Sequence, residues 1–320
     1  MQPGRSICRR PRIRKTGSCD HVFLFSELEP DPLRPLPGGF WEAPCRPASL
    51  LQFLTFLLQW AWRHSAHFFH QKGVLLMLRE PLTPAQELEI LEELKQFDTP
   101  TITNVVATYP GAPTCLNLYH PWDTNWYTDQ RLKLMFPELG RTCGFAVTCT
   151  YGLPDPSVPA GPGMAELLRA LSQSPKPAIL LIKQDFPERI KGKVGLCGGN
   201  MATAFRSVGC VGVISDGPSR DLGEVREIGL QYMLTGASAG HGPMALKSVN
   251  TPVEICGMEV SPGEIVHMDE NGAVKFPRAY LSDVLELCRR LSREEEQKMS
   301  MLASTSDPDR LAQYMAGNYS

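Results

Sequence analysis

Arg220 and Asp221 stand side by side in "GVISDGPSRDLGEV", residues 212–225, where an apolar run gives way to a helical pattern. A guanidinium is a planar fork of donors matched to a carboxylate. A carboxylate supplies hard oxygen of the kind magnesium takes, one or two from protein with water completing the shell. The same dipeptide is what a surface ion pair or a helix-capping aspartate looks like, and it does not choose among the three. A second stretch bears on the choice. In "GLCGGNMA", residues 195–202, Gly198 and Gly199 let backbone approach an anion, and Asn200 and Met201 open a helix with free N–H groups. A tight turn is the plain alternative for a Gly-Gly pair. No Lys-Ser/Thr follows these glycines and the loop is not G-x-G-x-x-G, so it matches neither a P-loop nor a dinucleotide fingerprint.

Both loops bear on one layer. "PAILLIKQD" is a continuous apolar run of the type buried on both faces of a parallel sheet. After it come the turn "GLCGGN", the helical "MATAFRSVG", the strand "CVGVIS", the helical "DLGEVREIG" and the strand "LQYMLTG". Strands alternating with helices on short links imply a parallel α/β layer. Ligands collect at the carboxyl ends of such strands, where both loops fall, which puts a site for an anionic, metal-bound substrate on an equal footing with the surface ion pair or capping aspartate. His241 in "GASAGHGP" and His267 in "IVHMDENG" are the other titratable candidates, each read as serving packing or local hydrogen bonding. No Ser-His-Asp order, zinc motif or flavin motif is present.

Upstream, "TPAQELEILEELKQF" begins with Thr83 as N-cap, Pro84 in the first turn and Gln86 closing a capping box. "DTPTITNVV" restarts a helix with Thr99 and Pro100 as cap and first turn. Residues 109–127 are rich in Pro and aromatics and read as irregular; "CGFAVTCTYG" is a strand and "GMAELLRALSQ" a helix. Past the α/β layer, "TPVEICGMEVSPGEIVHMDENGAVKFP" holds short strands with turns at Pro262-Gly263 and Asn271-Gly272, and an amphipathic helix covers about residues 281–302.

The chain of 320 residues has 42% hydrophobic and 21% charged residues, the balance of a globular protein with a real core. Its net charge of −2 argues against a nucleic-acid partner. Ten cysteines at irregular spacings, without C-x-x-C, read as reduced, mostly buried thiols of an intracellular, cytoplasmic protein. Residues 1–76 are set apart as a disordered extension, with Pro- and Arg-rich stretches such as "RRPRIRK" and "EPDPLRPLPGG". Within them "LLQFLTFLLQWAW", residues 50–62, is interrupted by Gln52 and Gln59 and is shorter than the ~18 residues of a membrane span. His64, His67 and His70 recur every third residue, a zinc- or nickel-compatible spacing that no carboxylate or cysteine completes. Met77 precedes the first well-formed signal and offers an internal start of translation. Residues 77–302 form the ordered domain in this reading, and 303–320 a flexible tail.

"GGNMATAFRSVGCVGVISDGPSRD" followed by "PVEICGMEVSPGEIVHMDENGAVKFP" resembles the RraA-like family, and the resemblance covers roughly residues 82–302. That family includes 4-hydroxy-4-methyl-2-oxoglutarate aldolases, oxaloacetate decarboxylases and the regulator of ribonuclease E activity. The resemblance implies a three-layer β/β/α swivelling-type domain, assembled as homotrimers or paired trimers (hexamers) with sites between subunits; the charge balance and the short apolar run are what speak against nucleic acid and membrane as partners. It further implies a metal-dependent (class II) lyase acting on a small 2-keto acid with Mg2+ or Mn2+. Asp221 then holds the metal, Arg220 binds the substrate's carboxylate and keto oxygen, and Gly198, Gly199, Asn200 and Met201 line the substrate. Many aldolase members carry Asp or Glu where this chain has Gly199, so a carboxylate that positions water is missing from that place. Aldolases of the family also use a glutamate from a neighbouring subunit's C-terminal helix, for which Glu294, Glu295 and Glu296 are available. The alternative within the resemblance is a non-catalytic regulator that binds a ribonuclease or another protein. A methyltransferase is not supported, because no glycine-rich S-adenosylmethionine loop is present.

Overall fold

A computed structural model describes residues 81–317 other than 110 and 124. The reading of residues 1–76 as an extension, the apolar run at 50–62 and the three spaced histidines lie outside the described residues, as does Met77.

Helix α1 (Pro84–Leu94) begins as its sequence dictates: the Thr83 hydroxyl accepts from the Gln86 N–H and the Gln86 side chain accepts from the Thr83 N–H. Helix α2 (Thr99–Val106) begins one residue earlier than its Thr-Pro pattern suggests. Its cap is Asp98, whose carboxylate accepts from the Thr101 N–H at 2.9 Å, because the Thr99 hydroxyl is engaged by His267. After the irregular aromatic segment and the two-residue strand β1 (Lys133–Leu134) come β2 (Thr142–Gly152), α3 (Met164–Gln173), β3 (Ala178–Asp185), α4 (Glu188–Lys191), α5 (Gly199–Ser207), β4 (Cys210–Ser215), α6 (Leu222–Ile228) and β5 (Gln231–Leu234). The chain continues through β6 (Ala245–Val249), β7 (Val253–Ile255), β8 (Met258–Val260), β9 (Ile265–Asp269) and β10 (Gly272–Phe276) to the long helix α7 (Leu281–Ala303). Where the sequence reading leaves a tail, a further helix, α8 (Pro308–Met315), is capped by Asp307 and packs on α7.

The main sheet runs β1-β5-β4-β3-β2-β9-β10, with β6 pairing β2 on the far half of that long strand. Strands β2 to β5 are mutually parallel, as the continuous apolar runs require, and β1, β6, β9 and β10 are antiparallel to their neighbours. Alternate residues of each parallel strand separate two cores. Val147, Cys149, Leu180, Ile182, Val213 and Tyr232 face α3, α5 and α6. Ala146, Ile179, Leu181, Ile214 and Met233 face the β7–β8 hairpin through Val253, Ile255, Met258 and Val260. The result is three layers, helix on sheet on hairpin, which is the β/β/α arrangement expected. A third core joins α1, α2 and α7 to the β9–β10 end. The β9–β10 turn is Glu270–Asn271, one residue before the expected Asn-Gly pair, because Asp269 pairs with Gly272.

Among the described residues no helix is long and apolar enough to cross a membrane. The seven described cysteines are free, and all but Cys115 are buried.

Phe205 anchors α5, the helix that carries the glycine loop, and is fully buried between that helix and the sheet. Phe205→Ala is expected to cost about 3–5 kcal/mol of unfolding free energy. Urea denaturation followed by circular dichroism measures it; a loss below about 1 kcal/mol would contradict this packing.

Candidate functional site

Three loops meet at the carboxyl ends of β3, β4 and β5, and hydrogen bonds tie them together. Leu196 N–H donates to the Pro218 carbonyl at 3.2 Å, and the Ser219 hydroxyl donates to the Cys197 carbonyl at 2.9 Å. The loop after β5 joins them: Gly195 N–H donates to Gly240 O at 2.8 Å, and Ser238 N–H to Ser219 O at 2.8 Å. Tyr232 reaches up from β5, its hydroxyl donating to the Cys197 carbonyl at 2.7 Å. Cys197 itself adopts a positive φ of 66°. Beneath the loops Asp216 is buried, with Oδ1 accepting from Gln184 N–H at 2.7 Å and Oδ2 facing Lys191 at 2.8 Å and Lys183 at 2.9 Å. A buried carboxylate met by this many donors is a rigid platform rather than a liability.

Arg220 and Asp221 stand on that platform. Asp221 has the left-handed conformation, φ 56° and ψ 35°, at the N-cap of α6. Its side chain does not cap its own helix. Instead Oδ2 accepts the Gly199 N–H at 3.1 Å, capping α5 from outside, where the true N-cap residue, Gly198, has no side chain to offer. Arg220 Nε lies 3.3 Å from the same Oδ2, with the two side chains 37% and 32% exposed. Such a half-exposed pair contributes roughly 0–1 kcal/mol. A left-handed non-glycine residue costs of order 1 kcal/mol or more, least for Asp and Asn. The ion pair and the strain about cancel, so stability alone does not account for the posture.

Gly198 is required here. A Cβ added to it would collide with Asp221 Oδ2 and lie 3.1 Å from the carboxylate carbon. The cavity these residues enclose, about 410 Å3, is lined by Gly195, Cys197, Gly198, Asn200, Met201, Arg220 and Asp221, with His241 and residues 242–244 opposite. This volume suits a small organic acid with its water. Five of the six residues singled out from sequence thus share one cavity wall, and Gly199 contributes its N–H beside it. His241, read as a packing residue, is exposed on the rim with Nδ1 3.1 Å from Gly242 O. The loop after β5 carries no motif, so sequence reasoning passed over Pro243 and Met244.

The donor set fits a hard cation. Among the described residues no three His, Cys, Asp or Glu side chains gather into a cage. One accessible carboxylate in a roomy cavity is the donor pattern of Mg2+ or Mn2+, which keep most of their waters. Among the described residues the contacts of Asp221 fall on Oδ2, which leaves Oδ1 open to a ligand.

A second cavity, about 260 Å3, lies between Thr99, Tyr109, Trp122, Trp126, Tyr127 and Asn271, with no charged side chain on its walls. It offers no group for the chemistry above. The glutamates of α7 are also apart: Glu294 pairs with Arg290 at 2.9 Å, and burial, then the nearby charge of Asp98, raise the pKa of Glu295.

Comparison with known proteins follows the same segment. Residues 122–275, which hold every residue named at the site, match the RraA-like family, described as Aldolase/RraA. Over that segment the chain is similar to the RraA-like family. A 4-hydroxy-4-methyl-2-oxoglutarate aldolase of Thermus thermophilus is 31% identical over 86 residues, 27% of this chain and 52% of that protein. An uncharacterized protein of Methanocaldococcus jannaschii is 27% identical over 110 residues, 34% of this chain and 52% of that protein. The chain thus spans about half the length of the curated relatives it matches. In fold, the chain is similar to the crystal structure of an uncharacterized protein from Pseudomonas syringae pv. tomato, at TM-score 0.55 and 18% identity over 77% of this chain and 100% of the other.

His267 lies at the opposite end of the sheet, paired with Cys143 near the start of β2, and is wholly buried. Its Nδ1 is 2.9 Å from the Thr99 hydroxyl, and Asp269 beside it accepts the Thr99 N–H at 2.7 Å. It locks α2 to the sheet. Burial pushes its pKa down to about 4, against the opposing pull of Asp269. An unfolded histidine binds its proton near pH 6.5. The contribution is therefore fully present above pH 6.5 and is lost as pH falls towards 4, by on the order of 3 kcal/mol. Urea midpoints at pH 7, 5.5 and 4.5 should fall less steeply in His267→Gln than in the parent chain; parallel slopes would contradict the assignment.

Proposed function

We propose that this protein is a divalent-metal-dependent lyase that cleaves a C–C bond of a short 2-keto acid through a pyruvate enolate. Its reactions are retro-aldol cleavage of a 4-hydroxy-4-methyl-2-oxoglutarate-type acid, decarboxylation of oxaloacetate, or both. The observation that carries the reading is the placement of Asp221, which presents a carboxylate to the cavity from a strained backbone while Arg220 and the α5 N-terminus flank it.

Asp221 would hold Mg2+ or Mn2+ by its free oxygen. When bound, the cation supplies Lewis-acid stabilisation of the charge that develops on the keto oxygen. Arg220 orients the substrate's carboxylate and keto oxygen with its planar fork and adds a second positive centre. The Gly198–Met201 turn lets the substrate lie against backbone that any larger residue would push away. In retro-aldol cleavage the 4-hydroxyl proton passes to water in the cavity, the C4 carbonyl forms as the C3–C4 pair moves into the enolate, and C3 then takes a proton back from water. In oxaloacetate the same enolate forms as CO2 departs. Both reactions need the same stabilised charge, so one site serves both.

This reading includes a homo-oligomer, trimer or hexamer, in which α7 of one copy could present a glutamate from 294–296 to another. A non-catalytic regulator that binds a protein partner is favoured by one observation, the lack of a carboxylate on Gly199 itself.

Asp221→Ala is expected to abolish Mg2+-stimulated pyruvate release from oxaloacetate and from 4-hydroxy-2-keto acids. Asp221→Asn can still accept the Gly199 N–H, so it should lose less stability than the roughly 1 kcal/mol of a lost cap, yet be equally inactive. Arg220→Lys keeps the charge and loses the fork, and should lower kcat/KM by about 100-fold. Full activity in folded Asp221→Asn would refute the metal role. No turnover by the parent chain on the whole panel, with tight capture of a ribonuclease, would favour the regulator.

A further inference from the structure

Retro-aldol cleavage takes a proton from the 4-hydroxyl and gives one back to C3, and water alone carries it poorly at neutral pH. Few groups on the wall of the Arg220–Asp221 cavity can do both. Arg220 keeps its proton at any working pH. Asp221 is committed to the Gly199 N–H, to Arg220 and, in the reading above, to the cation. The Cys197 thiol is buried, which pushes its pKa up to about 12, and it shares a hydrogen bond with the Tyr232 hydroxyl. Asn200 and Met201 do not titrate. Among the described residues on that wall, this leaves His241.

His241 is exposed, on the wall opposite Arg220 and Asp221, and its Nδ1 is 3.1 Å from the Gly242 carbonyl. A carbonyl only accepts, so Nδ1 carries the hydrogen and the neutral ring keeps a lone pair on Nε2. Among the described residues that nitrogen takes no hydrogen bond. His241, Gly242 and Pro243 also line a third cavity, about 490 Å3, walled by Leu153, Phe186, Ile190 and Val194. The imidazole therefore stands where a polar cavity adjoins an apolar one. A 4-hydroxy-2-keto acid with its keto-acid end on Arg220, and the rest of its carbon chain in the apolar lobe, has C4 at that junction. The charged or titratable groups that face His241 across the two cavities are Arg220, Asp221 and Cys197 on one side and Lys193 on the other.

Resting on the lyase reading above, we infer that His241 is the base of the retro-aldol step, receiving the 4-hydroxyl proton through a water of the cavity. Nε2 gains the proton, the C4 carbonyl forms and the C3–C4 pair becomes the enolate. The imidazolium then returns the proton to C3 by the same water, and the ring ends neutral. Release of CO2 from oxaloacetate has no hydroxyl to deprotonate, so that bond breaks without His241.

The test compares the two reactions in the full chain with saturating Mg2+. His241→Gln should lower kcat for pyruvate release from 4-hydroxy-4-methyl-2-oxoglutarate by about 100-fold with KM little changed. It should leave CO2 release from oxaloacetate within about threefold of the parent. The fall in retro-aldol kcat towards acid pH, as the imidazole takes up its proton, should be present in the parent and absent in the variant. Added imidazole should restore retro-aldol turnover to His241→Ala, where the exposed position leaves room for it. Parent-like retro-aldol cleavage by folded His241→Gln, or equal losses in both reactions without rescue by imidazole, would overturn this inference and leave the lyase reading intact. A parent chain that decarboxylates oxaloacetate and cleaves no 4-hydroxy acid would do the same. No turnover of either substrate by the parent would overturn both.

Discussion

One carboxylate oxygen, Asp221 Oδ2, holds the site together. It closes the open end of α5 through the Gly199 N–H and steadies Arg220 across the same gap. Because Gly198 cannot cap its own helix, the loop after β4 must do it, and that requirement sets the distance between the two loops. A cap is worth about 1 kcal/mol, comparable with the cost of the left-handed backbone that delivers it. The fold therefore uses Oδ2 of Asp221, and in the proposed reading Oδ1 is the oxygen that meets the cation.

The rest of the molecule makes that geometry unforgiving. Gln184 donates to Ser215 and to the Pro218 carbonyl, and a Cβ on Gly217 would strike its amide, so the turn leaving β4 has a fixed height. Asp216, clasped by two lysines and a backbone N–H, sits under the same turn. With Tyr232 and Ser219 both bonded to the Cys197 carbonyl, the glycine loop cannot drift from its neighbour. A site that must place charge against charge benefits from supports that do not reorganise.

Much of this was legible in the residues. The apolar runs at 177–185 and 210–215 demanded buried parallel strands, and their following loops were bound to lie together. Thr83 and Gln86 spelled out the start of α1. The β7–β8 hairpin was less legible than the helices, because two three-residue strands give little alternation to read. Asp98 was displaced from the reading by the Thr-Pro signal one step later, and only the long-range contact of Thr99 with His267 explains why. The rim residues 241–244 carry no periodicity or motif, so nothing local announces them. Gly199 was the subtlest case: in three dimensions a Cβ there would collide with Glu224 Oε2 of the neighbouring helix, a contact the chain order does not announce.

Oxalate, a planar dianion shaped like the pyruvate enolate, offers the most direct measurement of the central claim. A crystal structure of the full chain with Mg2+ and oxalate should place the cation about 2.1 Å from an Asp221 carboxylate oxygen and the oxalate on the Arg220 guanidinium, against the Gly198–Met201 turn. Oxalate and cation found elsewhere on the chain, with Asp221 touching only Gly199 and Arg220, would contradict the account.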